Sequence, residues 1–206
     1  IAASDVGYDH LMALSSEAYL KPESGEAAHV TLTALSNRVE GVIALSGGPK
    51  GPLDRALIAG QRELAEERLK ALKALFGDRL YIELQRHGLP EEERVEPALI
   101  DLAYRYDVPL VATNEPFFTK PQAYEAHDAL LCVQTGCTIA DPNRFKFEGT
   151  EHYLKSAQEM RYLFREVPAA CDNTLWIAER AEIDIPFGNS VLPHFPIPEG
   201  FTGDGD

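Results

Sequence analysis

PLVATNEPFFTK, Pro109 to Lys120, opens like a buried strand and stops at polar residues and a proline. Leu110, Val111 and Ala112 are apolar, and Thr113, Asn114, Glu115 and Pro116 come after them. In α/β proteins site residues gather at the C-terminal ends of strands. Glu115 is therefore either a working group or what is left of a dismantled site, and the rest of the chain has to decide.

Two further segments read as short strands, GVIALSG (Gly41 to Gly47) and RLYIELQRH (Arg79 to His87). The first, like Pro109 to Glu115, is an apolar run of the kind that a parallel sheet buries on both faces. The second alternates, with Tyr81, Glu83 and Gln85 on one face and Ile82 and Leu84 on the other. Helical stretches lie between them. From Leu53 to Phe76, Ala65, Leu69, Leu72 and Phe76 form one apolar stripe. From Glu93 to Tyr106, Leu99, Leu102, Ala103 and Tyr106 recur at helical spacing. The order strand, helix, strand, helix, strand predicts crossover units and a parallel sheet.

After the third strand the pattern turns helical. Pro121 suits a first helical turn ahead of QAYEAHDALLCVQ, Ser156 and Glu159 form a capping box, and PAACDNTLWIAERAEI reads as one more helix. IPFGNSVLPHFPIPEG is too rich in proline to be helical and reads as a linker or a lead into another domain. The chain starts inside a helix-like pattern and finishes in a polar tail, so it reads as a piece of a longer protein.

The 206 residues suit one large domain or two small ones, and they carry 33 acidic against 19 basic side chains, a formal charge of −14. Nucleic-acid surfaces need clustered Lys and Arg to displace counterions from phosphates; no such run is present, so no nucleic-acid-binding residue is assigned. No apolar run reaches the roughly 18 residues of a membrane span. Cys132, Cys137 and Cys171 are an odd number without C-x-x-C spacing, which fits three small buried hydrophobes in a reducing, cytoplasmic setting.

Chemistry has few candidates. His10, His29, His87, His127, His152 and His194 nowhere show metal-ligand spacing such as H-x-H. LSGGPKGPLD, Leu45 to Asp54, is a glycine-rich turn that either simply closes tightly or cradles a phosphate at a helix N-terminus; it is neither a P-loop nor G-x-G-x-x-G. Glu83, Arg86 and His87 at a strand end could be an acid–base set or a structural salt-bridge group. No aspartate pair for two metals and no G-x-S-x-G elbow is found.

Eight stretches in register, VGYDHLMALSSEAYL, EGVIALSGGPKGPL, LYIELQRHG, VPLVATNEPFF, EAHDALLCVQTG, YLKSAQEMRYLF, NTLWIAERAEI and LPHFPIPEG, resemble the alpha subunits of bacterial DNA polymerase III, the C-family replicative polymerases. They match the later part of the N-terminal PHP (polymerase and histidinol phosphatase) domain and the start of the next region. The resemblance implies an incomplete PHP-type fold, a distorted β/α barrel with short parallel strands and a helical C-terminal part. Residues 1–184 would be the later part of the PHP domain, without its early strands, and residues 185–206 the proline-rich lead-in to the polymerase palm.

In metal-binding relatives the stretch matching VATNEPFF resembles A-T-N-D-x-H, whose aspartate and histidine hold metal. Here Glu115 and Phe117 take those positions, and Gly48 stands where active relatives often carry cysteine. Phenylalanine and glycine offer no donor, so the resemblance implies a degenerate site: no metal, no cofactor and no catalytic residue in this segment, with Mg expected at the parent polymerase's own active site. The segment would then be a scaffold for the polymerase core, its partners the rest of that chain, DNA through other domains, and a proofreading exonuclease that docks on it. The rival readings are a metal-dependent PHP phosphoesterase or exonuclease, and a plain protein-interaction module whose acidic surface meets a basic partner.

Overall fold

The computed structural model describes residues 1–185 and 187–188. It contains helices α1 (Asp5–Leu20) and α2 (Leu32–Ser36), strand β1 (Ala44–Leu45), α3 (Pro52–Ile58), α4 (Arg62–Phe76), β2 (Leu80–Gln85), α5 (Pro90–Tyr106), β3 (Leu110–Thr113), α6 (Tyr124–Thr135), α7 (Ala157–Leu163) and α8 (Pro168–Arg180). The three strands form one parallel sheet in the order β1-β2-β3. Ala44 pairs with Leu80, Ile82 with Leu110, and Gln85 with Thr113. The strand–helix alternation of the sequence thus becomes the predicted parallel sheet.

The first strand is shorter than the apolar run Gly41 to Gly47 predicts. Gly41 has φ +67, and residues 1–3 take up the backbone groups before Ala44. Ala3 N–H donates to the Gly41 carbonyl at 2.7 Å and Ile43 N–H to the Ile1 carbonyl at 2.9 Å, so Val42 bridges Ala2 antiparallel instead of joining β2. The stretch Leu53 to Phe76 also departs from a single helix. Gly60, at φ +74, ends α3, and the Gln61 N–H closes back on the Ala56 carbonyl at 2.8 Å. Helix α5 begins ahead of Glu93, at Pro90, because proline is pre-set for a first helical turn.

Both faces of the sheet are covered. Leu80, Ile82 and Leu84 pack with Leu53, Ala65, Leu69, Phe76, Val95, Leu99 and Leu102 from α3, α4 and α5, so the predicted stripes face the sheet. Ile43, Tyr81 and Val111 lie on the other face against Ile177 of α8. Burying a side chain of this size contributes about 1.5–3 kcal/mol, and β2 is buried on both faces. Ser156 caps α7 as its sequence predicts: its hydroxyl accepts the Glu159 N–H at 3.2 Å, and the Glu159 carboxylate accepts the Ser156 N–H at 2.8 Å. No helix among the described residues is long and apolar enough to cross a membrane. The lead-in expected over residues 185–206, with His194, lies outside the described residues apart from 185, 187 and 188.

Candidate functional site

Because the strands are parallel, the residues at their C-terminal ends converge. Glu83 and Gln85 come from β2, Thr113 from β3, and Gly47 from the turn after β1. Glu83 is buried and fully occupied. Its carboxylate accepts the Gly47 N–H at 3.0 Å, the Gln85 amide at 3.0 Å and the Thr113 hydroxyl. The glycine-rich turn therefore has an internal anion on the Gly47 amide, and the phosphate-cradle reading gives way to a turn closed on Glu83.

Above this layer a cleft of ≈ 360 Å³ is lined by Lys50, Gln85, His87, Glu115, Phe147 and His152, among others. A larger open cleft of ≈ 730 Å³ between α2, α3 and α4 has no acid, histidine or thiol in its lining, so the strand-end cleft is the candidate site. His87 is buried, and its Nδ1 lies 2.7 Å from Glu92 Oε1. The Glu115 N–H donates to His87 Nε2 at 3.3 Å, which leaves the ring hydrogen on Nδ1, donated to Glu92. Glu92 Oε2 also accepts the His87 backbone N–H at 2.6 Å. Burial alone would raise the Glu92 carboxyl; these hydrogen bonds outweigh it, and the group ends below its ordinary value.

His152 stacks on His87 with ring centroids 4.0 Å apart, and its Nδ1–H donates to the Glu115 carbonyl at 3.1 Å. Burial lowers its pKa, outweighing the hydrogen bond to the Glu115 carbonyl, which favours the charged ring. Asp54, in the first turn of α3, lies behind the same strand end at 3% exposure, and its Oδ2 has no partner. Burial, joined by the charges of Glu83 and Glu92, raises its carboxyl to about 6.

The residues singled out by sequence fall into distinct places. Arg86 is structural: it holds Glu96 through two hydrogen bonds, at 2.9 and 2.7 Å, and reaches Glu166 and the Leu163 carbonyl. Glu83 and His87 engage separate partners rather than each other. Glu115 has a half-exposed side chain whose ion pair is the surface contact to Lys50 at 3.8 Å. Phe117 is 41% exposed and packs on Phe147 at 4.3 Å in an aromatic group with His127 and His152. Gly48 has φ +53, and a Cβ there would meet the Gln85 carboxamide at 2.7 Å. Cys137 is half-buried, unlike Cys132 and Cys171, which corrects the reading of three buried thiols.

Few donors of the cleft are free, the half-exposed Glu115 carboxylate being one. Glu83 and Glu92 have their oxygens engaged, His87 has both ring nitrogens engaged, Phe117 has no donor, and Gln85 occupies the space beside Gly48. Among the described residues no three His, Cys, Asp or Glu side chains converge as a metal cluster. No motif marks Glu92, His152 or Asp54 as neighbours of this cleft. His152 arrives because Phe117 and Phe118 pair with the backbone of His152 and Leu154, a long-range contact that no spacing rule encodes.

The family model of the PHP domain matches residues 1–87. The chain is 44% identical over 205 residues, all of its length, to the DNA polymerase III subunit alpha of Caulobacter vibrioides. It is 40% identical over 203 residues to that of Treponema pallidum and 36% identical over 208 residues to that of Thermus aquaticus, with 98% of the chain covered in each. It spans 17% of the length of each of these relatives. With similarity running through the whole chain and a PHP domain at its start, the chain belongs to the DNA polymerase III subunit alpha family, of which it represents a PHP-containing segment.

Proposed function

We propose that this chain is a metal-free PHP scaffold within a DNA-directed DNA polymerase, and that it supports the polymerase core instead of catalysing a reaction itself. The observation that carries the reading is the closure of the strand-end site on its own residues. Glu83 is taken by the Gly47 amide, Gln85 and Thr113, and Glu92 is taken by His87. Converging donors that are free to bind are what a metal centre needs. Gly48, Glu115 and Phe117, the positions that the family resemblance assigns to ligands, supply one half-exposed carboxylate between them.

The scaffold extends, in this proposal, over residues 1–184, with the proline-rich lead-in at 185–206. Its support is the continuity of the packing: β3 joins the same sheet as β1 and β2, and α8 covers that sheet. Ile177 packs on Tyr81 and Val111, and the Asn173 amide donates to the Leu110 carbonyl at 2.7 Å. Primer extension, with Mg at the polymerase's own site, and contacts to DNA belong to parts of the protein outside this segment. Docking of a proofreading exonuclease and a cytoplasmic setting are the remaining parts of the proposal, and the lack of an intrinsic metal centre fits proofreading by a separate subunit.

Primer extension by the full-length polymerase tests the reading. Glu115→Ala and His152→Ala should leave the rate within about two-fold, since these groups touch no reacting atom. The core change Ile82→Ala should instead lower the yield of folded enzyme, through a stability loss of about 2–5 kcal/mol. A tenfold loss of rate in folded Glu115→Ala protein would show that the cleft takes part in catalysis.

A further inference from the structure

Helix α6 ends in a turn that brings two thiols together. Gly136 adopts φ +68, and the Cys137 N–H closes back on the Cys132 carbonyl at 3.0 Å. In this type of helix terminus, the residue after the glycine and the one five positions before it form a customary side-chain contact. In most helices that contact is between apolar groups; here both are cysteine, and both are free. The two differ in access. Cys132 is 5% exposed, whereas Cys137 is half-buried, with its sulfur 3.0 Å from the Thr135 hydroxyl.

We propose that Cys132 and Cys137 are a redox modification site, forming a reversible disulfide when the chain meets a peroxide. Cys137, the accessible thiol, reacts first. Its thiolate attacks one peroxide oxygen, the O–O bond breaks, and the departing hydroxide takes a solvent proton to become water, leaving a sulfenic acid on Cys137. The Cys132 sulfur then attacks the Cys137 sulfur. The S–S bond forms as the S–O bond breaks, and the leaving hydroxide combines with the Cys132 thiol proton as a second water. Two thiols lose two electrons, and one peroxide is reduced to two waters.

The surroundings agree with this order. Burial, and then the neighbouring Cys137 thiol, push the Cys132 thiol up, so it stays protonated and waits for the activated neighbour. Disulfides in reducing compartments are typically transient and redox-sensing, which is the behaviour of an accessible pair and not of a structural bridge. The bridge would also fix the point from which the aromatic wall of the cleft departs: Arg144 holds Asp128, one turn before Cys132, and leads directly into Phe145 and Phe147. Cys171 is buried and contacts the Met160 carbonyl, so it serves as an internal reference.

The test is graded hydrogen peroxide on the reduced chain, then thiol alkylation, tryptic digestion and mass spectrometry. No Lys or Arg separates the two cysteines, so both fall in one peptide. The expected result is that this peptide becomes lighter by two hydrogen atoms and escapes alkylation, that a dithiol reverses both changes, and that Cys171 stays alkylatable at the same dose. Cys137→Ser should leave Cys132 alkylatable, and Cys132→Ala should leave Cys137 as a sulfenic acid trapped by a cyclic dione. If the native peptide shows only sulfinic or sulfonic acid without a bridge, or if Cys171 reacts at the same dose, the proposal is overturned.

Discussion

Asp54→Asn should make the fold less sensitive to pH, and the size of the change comes from where Asp54 sits. The side chain is 3% exposed, one carboxylate oxygen has no partner, and Glu83 and Glu92 add negative charge nearby. Its pKa rises from 3.8 in the unfolded chain to about 6 in the folded one. Between those values the folded state holds more protons than the unfolded state, so the Asp54 contribution to stability is highest below pH 3.8 and falls as pH rises toward 6. At about 1.36 kcal/mol per pH unit, the ionised group costs the fold up to about 3 kcal/mol at neutral pH. Asparagine cannot ionise, and the cost of its own buried amide, about 1–3 kcal/mol, does not change with pH. The stability difference between variant and native chain should therefore move in the variant's favour by about 2–3 kcal/mol from about pH 4 to about pH 7.5. Urea denaturation of both proteins across that range measures it. A difference that stays constant with pH would refute the assignment of Asp54 as a buried, raised carboxyl.

Other substitutions probe the rest of the account. Gly48→Ala forces a side chain into positive φ and displaces the Gln85 amide from Glu83 and Thr113, and should cost about 1–3 kcal/mol in chemical denaturation. Glu92→Ala leaves the His87 ring N–H and its backbone N–H buried without an acceptor and should cost about 3–5 kcal/mol, with Glu92→Gln milder because it preserves an acceptor. Ser156→Ala removes the cap of α7 and should cost about 0.5–2 kcal/mol. The hydrogen bonds from Ser156 hold the Glu159 carboxyl at about 2, so their contribution is complete above the unfolded value of 4.5 and is lost as pH falls toward 2; a Ser156→Ala variant should show a flatter acid limb in a thermal-melt titration.

The parallel sheet is legible because its strands are short apolar runs separated by helices with clear stripes. Ile82 sits where the alternation of its strand puts it, buried on the face that α4 and α5 cover. Pattern does not show competition for backbone groups. Nothing in GVIALSG announces that residues 1–3 claim the amide and carbonyl groups around Val42. Nor does a smooth apolar stripe reveal the break at Gly60, where one left-handed residue outweighs the continuing helical propensity on either side. The site is legible at Gly48, Glu115 and Phe117 only through resemblance. His87 and Glu92 are near in sequence, but their pairing depends on the turn at Gly88; His152 reaches them through long-range backbone pairing. Asp54 reads as an ordinary first-turn acid until its burial is known.

The most direct measurement is a manganese and zinc titration of the chain, purified without chelator and assayed alongside for release of phosphate or nucleotide. A site closed on Glu83, Glu92 and His87 predicts no stoichiometric metal binding and no hydrolysis, including after Phe117→His restores one donor. Stoichiometric binding, with hydrolysis that disappears in Glu115→Ala, would contradict the account and make this segment a working phosphoesterase.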